Sequence, residues 1–168
     1  MKKLLLCAGP TRPAGYVRLD ANPEHDPDIL AALPPLPAEA RGPWDEIALI
    51  HGIEHFWRWD AGALLVDLHA ALRPGGKLVL EQPNLEAAAR VLLGLEAPQY
   101  KGLLESAMWP IYGDPAHRDP GYCHRWGYTP ETLRDLLREV APWSRIDVLP
   151  QQFHAYALGR DFRVEATR

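Results

Sequence analysis

Four short stretches hold side chains whose types and spacing can do chemistry. His51, Glu54 and His55 stand in HGIEHF, Gly9 and Asp20 close KLLLCAG and GYVRLD, and His117, Tyr122, His124, Arg125 and Trp126 crowd one aromatic-rich stretch. As bare spacing, H-x-x-E-H is the pattern with which zinc hydrolases hold a metal between two histidines and set a glutamate to work on its water. That chemistry needs a helix carrying both histidines on one face, and a third ligand further along. Here DEIALI runs straight into His51, Gly52 opposes a helical turn, and Phe56, Trp57, Arg58 and Trp59 follow His55. The motif is expected to form the lip of a pocket at the end of a buried strand, with no metal; the hydrolase is the competing reading.

The elements around these residues must position them. KLLLC is a short continuous apolar run of the kind buried on both faces of a parallel sheet, and YVRLD is a second strand. Only about eight residues separate them. A parallel crossover normally takes a dozen or more and a helix, so the first crossover helix is expected to be absent or very short. DILAAL is a marginal third strand before a proline-rich loop. DEIALI is a buried strand, and residues 60 to 72 form a helix behind Asp60 as N-cap. RPGG ends that helix and KLVLEQP is the next strand. NLEAAARVLLGL reads as a helix capped by Asn84, and TPETLRDLLREV as another, with Thr129 at the cap, Pro130 at its first position and a glutamate after it. Residues 98 to 128 show no period and read as an irregular insertion or lid. SRIDVLPQQFHAYALG is expected to close the chain as a hairpin of two strands across a tight turn. The order is α/β, with a mostly parallel sheet ending in an antiparallel hairpin. In such sheets ligands bind at the carboxyl ends of the strands, where Gly9, Asp20 and His51 all fall.

A chain of 168 residues, 47% hydrophobic, fits one domain spanning 1–168. Its net charge of -4, without a Lys/Arg-rich run, shows no nucleic-acid or anionic-membrane footprint and favours small partners. The apolar run in MKKLLLCAG is too short for a signal peptide. Cys7 and Cys123 make neither a disulfide framework nor a metal knuckle, so a cytoplasmic protein with free thiols is expected. His25, His69 and His154 read as surface or core residues.

Taken together, LLLCAG, GYVRLD, WDEIALIHGIEHF, LRPGGKLVLEQPNLE and HRWGYTPETLRDLL resemble the small class I S-adenosylmethionine-dependent methyltransferases, over about Lys3 to Leu149. LRPGG at this distance behind D-E-I-x5-E-H-F is the specific part. The resemblance implies a single-domain Rossmann-like methyltransferase sheet, S-adenosylmethionine as cofactor, and methyl transfer to a small or glycan-like acceptor. It places Cys7, Ala8 and Gly9 beside the methionine part of the cofactor, Asp20 and Ala21 at the ribose, Leu33 at the adenine, and His51 and Gly52 beside the sulfonium. His51 or His55, oriented by Glu54, would serve as the base, and His117, Tyr122, His124, Arg125 and Trp126 would cover the acceptor. The E-x-x-E-H set with which some similar enzymes hold magnesium is altered here, because His51 replaces the first glutamate.

Two departures bear on activity. Cys7 stands where the family's first glycine lies, and Ala32 where an acid commonly meets the adenine amino group. A methyltransferase-like protein that binds without turnover is therefore the alternative function. Cys7→Gly is expected to tighten cofactor binding while costing about 0.5–1 kcal/mol of fold stability, if no positive φ is required.

Overall fold

The computed structural model describes residues 1–153 and 159–168. Among the described residues, seven strands form one sheet: β1 Lys3–Leu6, β2 Tyr16–Asp20, β3 Ile29–Leu30, β4 Trp44–Ile50, β5 Leu72–Pro83, β6 Arg145–Pro150 and β7 Asp161–Thr167. They lie in the order β3-β2-β1-β4-β5-β7-β6. All neighbouring pairs are parallel except those of β7, which is antiparallel to both β5 and β6. The expected α/β class and mixed sheet are what is found.

Two helices lie against one face. Helix α1, Arg58–Ala71, buries Ala61, Leu64, Leu65, Leu68 and Ala71, a stripe at helical spacing. It packs against α4, Pro130–Val140, and against β5, while α4 also reaches β6 and β7. Beneath them lie Leu4, Leu6, Ile47, Leu49, Leu78, Leu80 and Val164, the main core. Among the described residues, the opposite face carries Leu5, Ala8, Ala48 and Val79 as a small buried cluster, with Tyr16 and Ile50 packed against it. Around it the register sets charged partners side by side: Lys3 faces Glu46, and Glu46 faces Lys77. Lys3 Nζ lies 3.1 Å from Glu46, and Lys77 Nζ lies 2.7 Å from Glu165. A chain link without a helix between β1 and β2 leaves these positions half exposed, and cross-strand ion pairs suit such a surface better than aliphatic side chains.

Several boundaries differ from expectation. Trp57, without a side-chain cap bond, precedes α1, and Asp60 sits inside the first turn, where its charge still complements the helix dipole. RPGG belongs to β5, pairing beginning at Leu72 opposite Trp44 with a register shift before Lys77. Gly76 fits there because a Cβ would stand 2.9 Å from both the Arg73 and Trp44 carbonyl oxygens. Helix α2, Leu85–Leu92, is capped by Asn84 as expected. The cap of α4 is a reciprocal pair between Thr129 and Thr132, so the following glutamate has no part in it.

The region 98–128 is not wholly irregular. Leu104–Met108 forms a wide π-type turn leading into a short helix, α3, Trp109–Tyr112, and both pack on α2. The C-terminal antiparallel hairpin is formed by β6 and β7, while its second strand is expected from the sequence in QFHAYAL. His154, with most of that segment, lies outside the described residues.

Candidate functional site

The parallel strands β1, β2 and β4 release the chain at one end of the sheet. Cys7 (φ 49°), Gly9 (φ 54°) and His51 (φ 49°) all take the left-handed conformation there. That conformation is strained for the two residues with side chains, and such strain concentrates at functional sites. Gly9 N–H donates to Asp20 at 2.8 Å, and the other Asp20 oxygen accepts from Asn22 N–H at 2.8 Å and faces His25 Nδ1 at 3.1 Å. The carboxylate is thereby fixed at the rim of a cavity of about 750 Å³.

Cys7, Gly9, Asp20, Ala21, Leu33 and His51 line this cavity together, with Ala32 and Arg125. Ala8 and Gly52 do not: Ala8 packs into the small cluster on the opposite face, and Gly52 sits against Leu49 and Cys7. His25, read as a surface or core residue, is a wall residue of the cavity. Burial, and secondarily the charges of Asp20 and Glu54, push the Cys7 thiol up to about 12.

A second cavity, about 390 Å³, is lined by Tyr100, Trp109, Asp114, His117, His124 and Arg160 among others. His51, His55 and Tyr122 border both cavities. Trp126 borders neither and is 41% exposed.

Residues 53–55 form one tight 3-10 turn rather than a helix, so the two histidines do not share a helical face. His51 is held between two acids instead, with Nδ1 3.3 Å from Glu54 and Nε2 3.2 Å from Asp161. Burial disfavours its charged form, but Asp161 and Glu54 outweigh that and raise it to about 9. Burial likewise opposes ionisation of Glu54, yet His51 holds its carboxyl below the usual range. Burial lowers His55, against the pull of Glu54. The segment His124–Trp126 is stitched to this turn, since the Glu54 carbonyl accepts from Arg125 N–H at 2.8 Å and from Trp126 N–H at 3.2 Å. This brings His124 Nε2 within 4.0 Å of the Glu54 carboxylate.

Asp161 and Arg160 were missed in the sequence because they lie past the expected hairpin. Asp161 opens β7 beside Pro83, and nothing in its local pattern marks it. Glu81 was missed as a strand residue. It is fully buried and accepts from Gln152 N–H at 2.9 Å and Phe153 N–H at 2.7 Å, anchoring the connection that leads to Arg160 and Asp161.

No protein-family model and no curated protein matches the sequence. Solved structures do match the fold. The chain is similar over 99% of its length to an S-adenosylmethionine-dependent methyltransferase of Archaeoglobus fulgidus, with 14% identity, a TM-score of 0.64 and 86% of that chain covered. One from Methanosarcina mazei gives 13% identity, a TM-score of 0.65 and 92% coverage of that chain. The 1,6-didemethyltoxoflavin-N1-methyltransferase of Burkholderia thailandensis, crystallised with its acceptor and S-adenosylhomocysteine, gives 17%, 0.60 and 70%. A left-to-right order of β3-β2-β1-β4-β5-β7-β6, a cavity at the carboxyl ends of its parallel strands and these likenesses agree: the chain has the fold of the class I S-adenosylmethionine-dependent methyltransferases.

Proposed function

We propose that this chain is an S-adenosylmethionine-dependent methyltransferase of a small acceptor. The observation that carries the reading is the pair of cavities meeting at His51, His55 and Tyr122. Methyl transfer needs two partners in line at about 3–3.5 Å, and one cavity for each, joined by a shared wall, meets that need.

The larger cavity suits a nucleoside cofactor. Gly9 takes a positive φ on its wall, and nothing stands within 4 Å of where a Cβ would project, so the backbone is open to a ligand. Asp20 would hold the ribose hydroxyls, backbone groups near Leu33 the adenine, and Cys7, Gly9 and His51 would border the methionine part. When bound, S-adenosylmethionine supplies an electrophilic methyl group whose bonding electrons stay with sulfur on transfer. His55 and His124 offer lone pairs at the acceptor side. Tyr100, Trp109 and Tyr122 with Asp114, His117 and Arg160 give the smaller cavity mixed aromatic and polar walls, which suit a hydroxylated ring or sugar-like acceptor. Residues 98–128 act as the cover over it. Two free thiols suit a reducing, cytoplasmic setting.

The test is thermal melting with S-adenosylhomocysteine. At one hundred times its dissociation constant a ligand contributes about 2.7 kcal/mol, a rise of roughly 5–10 °C for a domain of this size. An intact fold with no shift at millimolar ligand overturns the reading; a shift without methyl transfer to any of a panel of hydroxylated acceptors leaves a binding protein.

A further inference from the structure

The smaller cavity sorts its walls by charge. His51 has a carboxylate at each ring nitrogen, Glu54 3.3 Å from Nδ1 and Asp161 3.2 Å from Nε2. A carboxylate only accepts, so both nitrogens carry protons and the ring is an imidazolium. Burial opposes that charge, but the two acids outweigh it and raise the group to about 9. The Arg160 guanidinium lies 3.1 Å from the same Asp161 oxygen that His51 meets. Two cations therefore converge on one point, and both line this cavity.

Their counter-ions do not line it. Asp161 and Glu54 are buried behind the two cations and border neither cavity. Among the described residues the acid on this wall is Asp114, and it is turned to its own loop, where its carboxylate accepts from Ala116 N–H at 2.9 Å. A cleft whose cations face inward and whose acids lie behind them presents a positive field to whatever enters. Because Glu54 and Asp161 already balance His51 and Arg160, that wall suits one further negative charge better than the two of a phosphate. The other polar groups are neutral: His55 Nδ1 faces the Cys123 carbonyl at 3.3 Å and His124 Nδ1 the Pro110 carbonyl at 2.9 Å. A carbonyl only accepts, so each ring keeps a lone pair at Nε2 that can accept from a hydroxyl. Tyr100, Trp109 and Tyr122 add flat apolar faces.

We propose that the acceptor taken by this cavity is a hydroxylated ring carrying one carboxylate, held through its charge by His51 and Arg160 while its hydroxyl faces His55 and His124. The proposal rests on the methyltransferase reading and narrows its acceptor from any hydroxylated ring to an acidic one. A volume of about 390 Å³ has room for one such ring with its substituents. His51 thereby becomes a binding residue and not the base expected from the sequence, because neither of its nitrogens has a lone pair to offer a proton.

The experiment is calorimetry on the full chain, with and without S-adenosylhomocysteine, comparing para-hydroxybenzoate with its neutral isostere para-hydroxybenzamide, and glucuronate with glucose. In at least one pair the anion should bind more tightly by about tenfold or more, the discrimination that a charged hydrogen bond gives. Arg160→Gln, checked for fold by circular dichroism, should erase that preference. Arg118→Gln removes an exposed charge that borders neither cavity and should leave it unchanged. Equal binding of anion and neutral partner in both pairs, no binding of either anion, or a preference that Arg160→Gln retains overturns the proposal. Should Arg160→Gln unfold, Arg160→Lys carries the same test: it keeps the charge but loses the planar fork, and should weaken the anion without weakening the neutral partner. Melts with S-adenosylhomocysteine separate the two ideas: a rise without any preference for the anion defeats only the acidic acceptor, and a preference without a rise defeats the methyltransferase reading.

Discussion

Asp20 is one carboxylate with three donors already in place: Gly9 N–H, Asn22 N–H and His25. It is therefore held in one orientation before any ligand arrives, and its remaining lone pairs face the cavity. Charged hydrogen bonds contribute about 1.5–3 kcal/mol each, so Asp20→Ala should weaken S-adenosylhomocysteine by ten-fold or more in isothermal titration, and an unchanged affinity would remove Asp20 from the binding site. Cys7 changes the expectation drawn from sequence. Its φ of 49° is one that glycine adopts freely and a side chain resists, at about 1–2 kcal/mol for ordinary residues. That gain offsets the entropic loss of about 0.5–1 kcal/mol. Cys7→Gly should thus melt no lower than the parent, and bind more tightly if the side chain obstructs the cofactor. The thiol itself should be inert. With its ionisation pushed up to about 12 it remains protonated at pH 8.5, so alkylation of the native protein, followed by mass spectrometry, should label exposed Cys123 and spare Cys7 until the chain is unfolded.

At the level of elements, caps and close approaches govern what each substitution does. Thr129→Ala removes the reciprocal cap of α4, at a cost of about 1 kcal/mol and roughly 2–4 °C in melting temperature. Gly76→Ala should do more harm, because its methyl group would meet two backbone carbonyls that cannot rotate away; overpacking of this kind costs about 1–3 kcal/mol, and a melt equal to the parent's would show that β5 can shift. Much of this was legible beforehand. Five of the seven strands announced themselves as short apolar or alternating runs, and Asn84, Thr129 and Pro130 marked helix starts through local chemistry. What was not legible depends on partners far away in sequence. RPGG joins β5 because Trp44 and Arg168 offer backbone bonds there; β7 does carry a strand alternation, Phe162, Val164 and Ala166 between polar neighbours, but its place between β5 and β6 is set by pairing alone. The site divides the same way: Gly9, Asp20 and His51 follow from lying at strand ends, whereas Asp161 enters by tertiary contact and His25 by the local turn after Asp20.

For the molecule as a whole, α1 and α4 packed over one face make that side the main core and leave the other to a small apolar cluster and ion pairs between strands. Lys3, Glu46, Lys77 and Glu165 are only part-buried there, and such pairs are each worth little; Lys77→Ala should change the melting temperature by no more than a degree or two. A larger fall would mean that the ladder acts as a unit. The position of β7 reaches beyond the folded state. It is the last of the seven strands in sequence, yet it lies between β5 and β6 and brings Asp161 to His51. As the chain leaves the ribosome, β1 to β5 can assemble in turn, but β5 keeps an open edge, and β6, already synthesised, has no neighbour to join until residues 161–167 emerge. During that interval the nascent sheet has an edge that another chain's strand can occupy, and His51 lacks one of the two acids that hold it. Neither the sheet nor the site can close until residues 161–167 have been translated.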